Sequence, residues 1–492
     1  MSNLNKYESI IGLEVHAQLK TKSKAFCSCS TEFNAPPNTN VCPICLGHPG
    51  TLPVLNKNLV EFILRLGLST NCQIRERSIF ARKNYFYPDL PKGYQISQYD
   101  QPICHDGYIE LNGKRIGITR IHMEEDAGKS IHDLSSDDSL VDLNRCGVPL
   151  IEIVSEPDMR NTKEAYDYLN KLKQLVVYLD ICDGNMEEGS LRCDANISIR
   201  LKGETKFNTK CEVKNLNSFK NVSDALDYEI IRQAELMEKG AAVIHQTMTY
   251  DAKSKKTTPM RSKEEAHDYR YFPEPDLVTV YVDDKWKSRV KNSLPELPDE
   301  KIKRFTGFYK LPEYDSEVLT QDKALADYFE EVSKGLSDKS YKTASNWLMK
   351  EVLRVLKDEK IEISDFWINP KNLSSLINLI EDGKISTNIA KEVYGEMLKI
   401  RDGDYEKQNP ELIVKEKNLT LVSDISAIES IVKKILEENP KEKERYINGE
   451  TKLLGFFVGK VMKESKGKAD PKTVNELLLI HLTQSSRESG NM

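Results

Sequence analysis

Near its N-terminus the chain reads Leu13-Glu-Val-His-Ala-Gln-Leu19, in which apolar and polar side chains alternate. Alternation with a period of two is typical of a strand that buries only one of its faces. In such a strand Glu14, His16 and Gln18 share the polar face, while the apolar residues pack into a core. This stretch therefore predicts one strand of an antiparallel sheet whose polar face carries chemically reactive groups.

The same arrangement recurs along the first part of the chain. Further carboxylates stand on stretches that also predict strands, namely Glu124, Glu125, Glu152, Asp194 and Glu212. If these strands pair in one sheet, their acids converge and repel one another unless a cation lies among them. Carboxylate oxygens with one imidazole suit Mg²⁺ or Mn²⁺ better than Zn²⁺. The alternative is that each acid is an ordinary solvated residue of a sheet surface.

Helical periodicity separates the predicted strands at residues 60–68, 162–179 and 223–238, with Thr162 as the expected N-cap of the second helix. The first part of the chain therefore predicts an α+β domain built on an antiparallel sheet. Prolines within residues 292–298 mark a boundary, after which the periodicity is helical. Residues 401–410 are polar and predict a linker. We expect three domains, covering residues 1–294, 295–404 and 405–492.

Composition limits the classes of function. The 492 residues carry a formal net charge of −6, whereas a non-specific RNA-binding protein is usually basic. Any RNA contact must therefore be local, as in the lysine-rich stretch 452–472, or shared with partners. The sequence has no apolar run of membrane-spanning length and no signal-peptide pattern, so we expect a cytoplasmic protein.

Four of the ten cysteines form a compact pattern. Cys27-Ser-Cys29 is followed after twelve residues by Cys42-Pro-Ile-Cys45. Two close pairs across a short loop can place four thiolates around Zn²⁺, so Cys27, Cys29, Cys42 and Cys45 predict a structural zinc site. A redox pair at Cys42 and Cys45 is the alternative. The other six cysteines are scattered, and we expect them to be buried apolar residues.

No phosphate-binding glycine-rich motif is present. A nucleotide would therefore have to bind on the sheet, through metal and nearby polar or basic side chains. The candidates are Ser190, Arg192, Lys210 and Lys214.

Two segments combine aromatic rings with basic residues and prolines, at residues 82–99 and 267–275. Such side chains suit stacking on the unpaired bases of an RNA 3′ end. The candidates are Lys83, Tyr85, Tyr87, Tyr269 and Arg270. The alternative is that these rings fill a proline-rich corner of the core.

Several long motifs resemble those of the B-subunit family of aspartyl/glutamyl-tRNA amidotransferases, and the resemblance covers nearly the whole chain. They are Gly12-Leu-Glu-Val-His16, Lys83-Asn-Tyr-Phe-Tyr-Pro-Asp89, His122-Met-Glu-Glu-Asp-Ala-Gly128, Met186-Glu-Glu-Gly-Ser-Leu-Arg-Cys-Asp-Ala-Asn196, Lys214-Asn-Leu-Asn-Ser218 and Asp268-Tyr-Arg-Tyr-Phe-Pro-Glu-Pro-Asp276.

The resemblance implies a fold and an activity. The fold is an antiparallel catalytic cradle similar to glutamine synthetase, followed by an all-α helical domain and a small helical tail domain that docks tRNA. The family phosphorylates the side-chain carboxylate of Glu-tRNA(Gln) or Asp-tRNA(Asn) with ATP and Mg²⁺, and ammonia then displaces the phosphate. An A subunit, which is an amidase, supplies the ammonia, and a small C subunit completes the heterotrimer.

The resemblance also implies residue roles. It assigns Mg²⁺ to His16, Glu125 and Glu152, with Glu14, Asp194 and Glu212 nearby. Zinc is not common to all members, so the zinc prediction depends on this sequence's own cysteine spacing. Two other functions stay open: a zinc-containing RNA-binding scaffold without chemistry, and a zinc hydrolase built around Glu14 and His16. The lack of a His-Glu-x-x-His motif argues against the hydrolase.

Overall fold

The computed structural model describes residues 4–131, 138–260, 268–401, 403–419, 425–465 and 469–489. The chain divides into two compact units, Met1–Pro298 and Asp299–Met492. The proline-rich segment 292–298 lies at the end of the first unit. The predicted division into three domains stays a prediction.

Sixteen strands occur in the described part of the first unit. They are β1 (Tyr7–Gln18), β2 (Gln73–Ile74), β3 (Arg77–Ser78), β4 (Ala81–Asn84), β5 (Tyr94–Ser97), β6 (Cys104–Leu111), β7 (Lys114–Glu125), β8 (Lys129–Ile131), β9 (Leu140–Asp142), β10 (Pro149–Ser155), β11 (Leu191–Leu201), β12 (Cys211–Leu216), β13 (Gln246–Asp251), β14 (Lys256–Pro259), β15 (Phe272–Pro273) and β16 (Val280–Tyr281).

Nine of these strands form one sheet in the order β14-β13-β12-β11-β1-β10-β7-β6-β2. Each neighbouring pair in it is antiparallel except β12 and β13, which run parallel. Strands β15, β4 and β5 form a separate three-stranded sheet, and β5 also packs against β7 of the large sheet. The predicted α+β class with a largely antiparallel sheet is confirmed.

Among the described residues of the first unit, four α-helices accompany the strands: α1 (Lys57–Ser69), α2 (Thr162–Tyr178), α3 (Phe219–Glu238) and α4 (Asp284–Asn292). Their apolar side chains join those of the sheet in one large hydrophobic core, and α3 also contributes Ala234 to a small cluster with Tyr7 and Ile199. From β1 this core receives Leu13, Val15 and Ala17, each at most 1% exposed. Burying a valine or leucine side chain stabilises the fold by about 1.5–3 kcal/mol. The alternation of β1 therefore fixes which face of the sheet stays polar.

The second unit is helical. Its helices, with α5 beginning at the boundary, are α5 (Pro298–Gly307), α6 (Glu313–Thr320), α7 (Lys323–Ser333), α8 (Tyr341–Trp347), α9 (Leu353–Glu359), α10 (Pro370–Glu381), α11 (Thr387–Lys399), α12 (Pro410–Glu416), α13 (Ile425–Glu438), α14 (Pro440–Ile447), α15 (Leu454–Glu464) and α16 (Pro471–Ser489). They build two hydrophobic clusters, one between Phe305 and Leu419 and one between Ile428 and Leu482. Two lysines of the predicted basic stretch, at positions 466 and 468, lie outside the described residues.

The structure corrects one predicted helix start. Thr162 is already the first helical residue of α2, and the N-cap is Asn161, whose backbone is extended. The Asn161 carboxamide oxygen accepts a hydrogen bond of 2.8 Å from the backbone N–H of Glu164. Asparagine is as good an N-cap as threonine or better, so propensity alone did not favour Thr162.

The six cysteines outside the compact pattern are all buried, as predicted. Within the described residues, we find no helix that combines the length and apolarity needed to cross a membrane.

We expect Asn161→Ala to destabilise the start of α2 by about 1 kcal/mol, because one N–H of the first turn loses its acceptor. The matched control is Thr162→Ser, which retains a hydroxyl. Hydrogen–deuterium exchange of the peptides covering residues 162–178 should rise in Asn161→Ala and stay unchanged in the control. Equal exchange in both variants would contradict this assignment of the cap.

Candidate active site and cysteine cluster

The register of the sheet brings the polar side chains of neighbouring strands together. Glu14 on β1 lies opposite Asp194 on β11, and His16 lies opposite Glu152 on β10. Glu152 in turn lies opposite His122 on β7. The acidic side chains therefore converge on one face of the sheet, as the alternation predicted. They are not separate, solvated residues of the sheet surface.

These side chains line a cleft of about 340 Å³. Five carboxylates, two imidazoles, three basic side chains and three tyrosines contribute to its wall. The lining residues are Glu14, His16, Lys83, Gln98, Tyr99, Arg120, His122, Glu124, Glu152, Asp194, Glu212, Lys214, Tyr269 and Tyr271.

Within this cleft His16, Glu124 and Glu152 each offer one ligand atom, and the three atoms lie within 4.8 Å of one another. The His16 Nε2 atom is 3.4 Å from the Glu152 Oε2 atom. Glu124 is 2% exposed and Glu152 7%, so water screens their charge poorly. Two carboxylates and one imidazole at this spacing are a donor set that fits a divalent cation of the Mg²⁺ or Mn²⁺ type.

His122 connects the two carboxylates of this cluster. Its Nε2 atom lies 3.0 Å from Glu124 Oε1 and 3.6 Å from Glu152 Oε2. The hydroxyl of Ser97 also donates to Glu124 Oε1 at 2.7 Å, and the side-chain amide of Gln95 donates to Glu124 Oε2 at 3.1 Å. Glu124 is therefore held in one orientation from two sides.

The electrostatics of the cluster keep its carboxylates ionised. Burial alone would raise the pKa of Glu152, but the charge of His122 and the hydrogen bond from His16 outweigh burial and lower it. Burial would also raise the pKa of Glu124, but the hydrogen bond with His122 and the charges of His122 and Lys83 together outweigh burial and lower it. Burial would lower the pKa of His16, but the hydrogen bond to Glu152 and the charges of Glu152 and Glu124 together outweigh burial and raise it.

Two lysines balance the remaining negative charge. The Lys214 Nζ atom lies 2.9 Å from Asp194 and 3.2 Å from Glu212. Burial would lower the pKa of Lys214, yet these two carboxylates raise it. The pKa of the half-buried Lys83 is raised for the same kind of reason: burial would lower it, and Glu124 is the strongest of the charges that oppose burial. Both lysines therefore carry a positive charge in the cleft.

Glu125, which the family resemblance assigned to magnesium, is not brought to this cluster. Its carboxylate accepts a hydrogen bond of 2.9 Å from the backbone N–H of Ile96 and forms an ion pair with Lys92. Adjacent residues of a strand face opposite sides of a sheet, so a shift of one position changes the side completely. The structure brings Glu124 to the cluster instead. The alternation of His122, Met123 and Glu124 on β7 is the signal that identifies it.

The four candidates for nucleotide binding are dispersed. Lys214 lines the cleft, and Lys210 lines an adjoining pocket of about 220 Å³ that also contains Glu14. The guanidinium of Arg192 donates to Asp126 at 2.8 Å. The hydroxyl of Ser190 donates to Asp183 at 3.2 Å, in the turn before β11.

The aromatic candidates divide between the cleft and the surface. Lys83 and Tyr269 line the cleft, with the Lys83 Nζ atom 4.9 Å from the centre of the Tyr269 ring. The ring centre of Tyr85 lies 6.0 Å from that of Tyr269, and the Tyr85 hydroxyl donates to Gln95 at 3.3 Å. Tyr87 is 56% exposed, and the exposed Arg270 has a left-handed backbone with φ of 42°.

Sequence reasoning missed several residues of the wall. Tyr99 and Tyr271 stack with their ring centres 4.2 Å apart and their planes 10° apart. Gln98 and Arg120 also line the cleft and were not predicted, whereas His122 shares the strand face of Glu124 as the alternation indicates. The two tyrosines belong to the aromatic segments 82–99 and 267–275, but a loop has no periodicity from which to derive the direction of a ring.

The four cysteines of the compact pattern do come together. One sulfur atom from each of Cys27, Cys29, Cys42 and Cys45 lies within 4.8 Å of the others. A zinc tetrahedron with bonds of about 2.3 Å has sulfur–sulfur edges of about 3.8 Å, and the Cys42–Cys45 distance is 3.9 Å. A disulfide would require about 2.05 Å. The four sulfurs could therefore hold a metal ion.

One sulfur of this cluster is especially stabilised as a thiolate. A hydrogen bond from the Cys27 thiol, the backbone N–H of Cys42 and the charge of Lys24 lower the pKa of Cys45. The Lys24 Nζ atom is 3.7 Å from the Cys45 sulfur, and Lys24 is fully buried. A cation next to a thiolate cluster reduces the net negative charge that metal binding leaves behind.

The large sheet, its charged cleft and the two clusters define an α+β enzyme domain with a candidate divalent-metal centre. The family model described as the GatB/GatE catalytic domain matches residues 9–288, and the model described as the GatB domain matches residues 327–482. The chain belongs to the family of aspartyl/glutamyl-tRNA(Asn/Gln) amidotransferase B subunits.

Curated relatives match over nearly their full length. The B subunit of the aspartyl/glutamyl-tRNA(Asn/Gln) amidotransferase from Thermodesulfovibrio yellowstonii is 57% identical over 96% of this chain and 98% of its own length. The proteins of the same name from Geotalea uraniireducens and Caldanaerobacter subterraneus are 56% and 53% identical, over 96% and 97% of this chain. They are covered over 99% and 100% of their own lengths.

We expect Glu124→Gln to weaken Mn²⁺ binding by about 100-fold or more, since substitution of even an outer-shell partner of a metal costs ten- to hundredfold. The matched control is Glu110→Gln, an exposed carboxylate on β6. Titration of the purified protein with Mn²⁺, followed by electron paramagnetic resonance of the free ion, measures the affinity. Equal affinities in Glu124→Gln and the control would exclude Glu124 as a ligand.

Proposed function

We propose that this chain phosphorylates the side-chain carboxylate of glutamate or aspartate carried by a misacylated tRNA, and that ammonia then replaces the phosphate. The products are Gln-tRNA(Gln), Asn-tRNA(Asn) or both. The observation that carries the proposal is the convergence of His16, Glu124 and Glu152 in one cleft of a chain that belongs to this family.

The reaction has two steps. An oxygen of the substrate carboxylate attacks the terminal phosphorus of ATP, and ADP leaves with the electron pair of the broken P–O bond. Ammonia then adds to the carbonyl carbon of the acyl phosphate, phosphate leaves with its electron pair, and the nitrogen loses a proton. Mg²⁺, when bound, neutralises charge on the phosphate oxygens.

The side chains of the cleft support specific roles. His16, Glu124 and Glu152 are the residues that would hold the divalent ion. Lys83 and Arg120 line the same wall and would attract the phosphates and the substrate carboxylate. Fixed charges of this kind stabilise a transition state without having to reorganise.

Glu14 is the candidate to accept the proton that the attacking nitrogen loses. Its pKa is raised, first by burial and then by the neighbouring Glu152 and Glu212. A carboxylate with a raised pKa in a catalytic cleft is suited to proton transfer near neutral pH.

The aromatic wall of Tyr99, Tyr269 and Tyr271 supports a place for the unpaired 3′ end of the tRNA, because rings stack on bases of any sequence. We also assign the tRNA body to the helical tail domain, where Lys452, Lys460 and Lys463 are exposed. An A subunit that releases ammonia from glutamine and a small C subunit would complete the heterotrimer, and we place the complex in the cytoplasm.

We further propose that Cys27, Cys29, Cys42 and Cys45 hold a structural Zn²⁺. Four thiolates leave no open position for substrate, so this metal would stabilise the loop and take no part in the reaction.

Glu152→Gln tests the catalytic proposal in the reconstituted complex with its A and C subunits. We expect formation of labelled acyl phosphate from terminally labelled ATP and Glu-tRNA(Gln) to fall by at least about 100-fold, because Glu152 contacts the metal position. Glutamine hydrolysis by the partner should persist, and Glu110→Gln should behave as the unchanged chain. Undiminished phosphorylation in Glu152→Gln would refute the metal assignment.

Metal analysis tests the zinc proposal. The reduced, purified protein should contain close to one zinc per chain, and Cys42→Ser should lose most of it because a ligand thiolate is missing. Cys72→Ser is the matched control, since Cys72 is buried outside the cluster. Absence of zinc from the unchanged protein, or its retention in Cys42→Ser, would refute the site.

A further inference from the structure

Lys92 lies between the cysteine cluster and the active-site cleft. Its side chain is only 6% exposed, and its ammonium forms an ion pair with Glu125, whose side chain is 2% exposed. A small cavity of about 60 Å³ is lined by Lys92 and Glu125 together with Cys27 and Cys45. The two charged residues therefore share one enclosed space with the sulfur ligands.

On one side, the cysteine loop rests on the stem of Lys92. Gly47 follows Cys45 by two residues and has a left-handed backbone with φ of 69°. A Cβ atom at Gly47 would lie 2.6 Å from the Cγ atom of Lys92, which is closer than carbon atoms tolerate. The loop can pack this closely only because position 47 lacks a side chain.

On the other side, Lys92 is connected to Glu124 through β5. The Glu125 carboxylate that pairs with Lys92 also accepts the backbone N–H of Ile96 at 2.9 Å. The residues on either side of Ile96 hold Glu124, because Gln95 and Ser97 donate to its two carboxylate oxygens at 3.1 and 2.7 Å. Gln95 additionally donates to the backbone carbonyl of Glu125 at 2.8 Å.

These contacts restrict how Lys92 can move. A buried ammonium that leaves its carboxylate partner loses the interaction that compensates its desolvation. The same displacement would leave the Glu125 carboxylate buried with one partner fewer. Movement of the cysteine loop away from Lys92 would open this enclosed space to water and weaken the ion pair that anchors β5.

We propose that Lys92 is a positioning residue through which metal occupancy of the cysteine cluster sets the divalent-metal affinity of the active site. An occupied cluster fixes the loop at Gly47, the loop packs on Lys92, and the Lys92–Glu125 pair holds β5 so that Glu124 faces His16 and Glu152. The inference rests on the two metal sites of the proposed function. If the cysteine cluster stabilised only its own loop, its metal occupancy would leave the position of Glu124 unchanged.

The first test compares Lys92→Met and Lys92→Arg with the unchanged full-length chain. We expect Lys92→Met to retain its zinc and to bind Mn²⁺ about tenfold more weakly, as for other residues that orient a ligand. Lys92→Arg should recover part of the affinity, because it keeps the positive charge. Unchanged Mn²⁺ affinity in Lys92→Met would overturn the inference.

The second test acts from the cysteine side and uses a matched pair of glycines. Gly47→Ala and Gly50→Ala both place alanine on a left-handed backbone, but only the first meets Lys92, since nothing lies within 4 Å of a Cβ at Gly50. We expect Gly47→Ala to weaken Mn²⁺ binding several-fold with its zinc retained, and Gly50→Ala to leave the affinity unchanged. Equal effects of the two substitutions would overturn the coupling.

The third test removes zinc from folded protein with a chelator and checks the fold by circular dichroism. Zinc removal should lower the Mn²⁺ affinity of the unchanged chain about tenfold, yet cause no further loss in Lys92→Met, because the two act through one path. Additive losses would overturn the shared path. If the unchanged chain binds no Mn²⁺ at all, the proposed active-site metal fails and the inference fails with it, whereas loss of the coupling alone leaves the proposed function intact.

Discussion

The antiparallel pairing of β1 with β10 and β11 is the constraint on which the site depends. Because β1 buries Leu13, Val15 and Ala17, its polar residues must all project from the other face, and the register sets them against the acids of the neighbouring strands. Like charges at such spacing repel. The imidazoles and the lysines Lys83 and Lys214 reduce this repulsion within the protein, and a divalent cation would reduce it further.

The sequence predicted the five acid-bearing strands of this sheet, β1, β7, β10, β11 and β12, and the face on which their acids lie, because a period of two follows directly from strand geometry. The family resemblance assigned magnesium to Glu125, whereas the structure brings the preceding Glu124 to the cluster, because a shift of one position along a strand reverses the face. The Lys92–Glu125 ion pair could not be predicted from the sequence either, because its two residues belong to separate segments that meet only in the folded chain. The parallel pairing of β12 and β13 likewise follows from the intervening α3 and not from either strand's own pattern.

The two clusters differ in how visible they are in a sequence. The four clustered cysteines come from two short motifs, so their spacing alone predicted that their sulfur atoms come together. The residues of the candidate active site come from three separate strands, β1, β7 and β10, and only the pairing of these strands brings them together. A contiguous motif therefore marks the cysteine cluster, whereas the groups of the candidate active site are dispersed along about 140 positions of the chain.

The polar face extends over the width of the sheet from β12 to β7, with β11, β1 and β10 between them. Neighbouring strands are about 4.8 Å apart, so these four intervals span about 19 Å. The carboxylate pair at Lys214 lies at one end of this span, and the cluster of His16, Glu124 and Glu152 lies towards the other. The sheet is thus wide enough for two substrates to bind side by side on one surface. Each would contact its own set of charged side chains, and the two binding sites would not overlap.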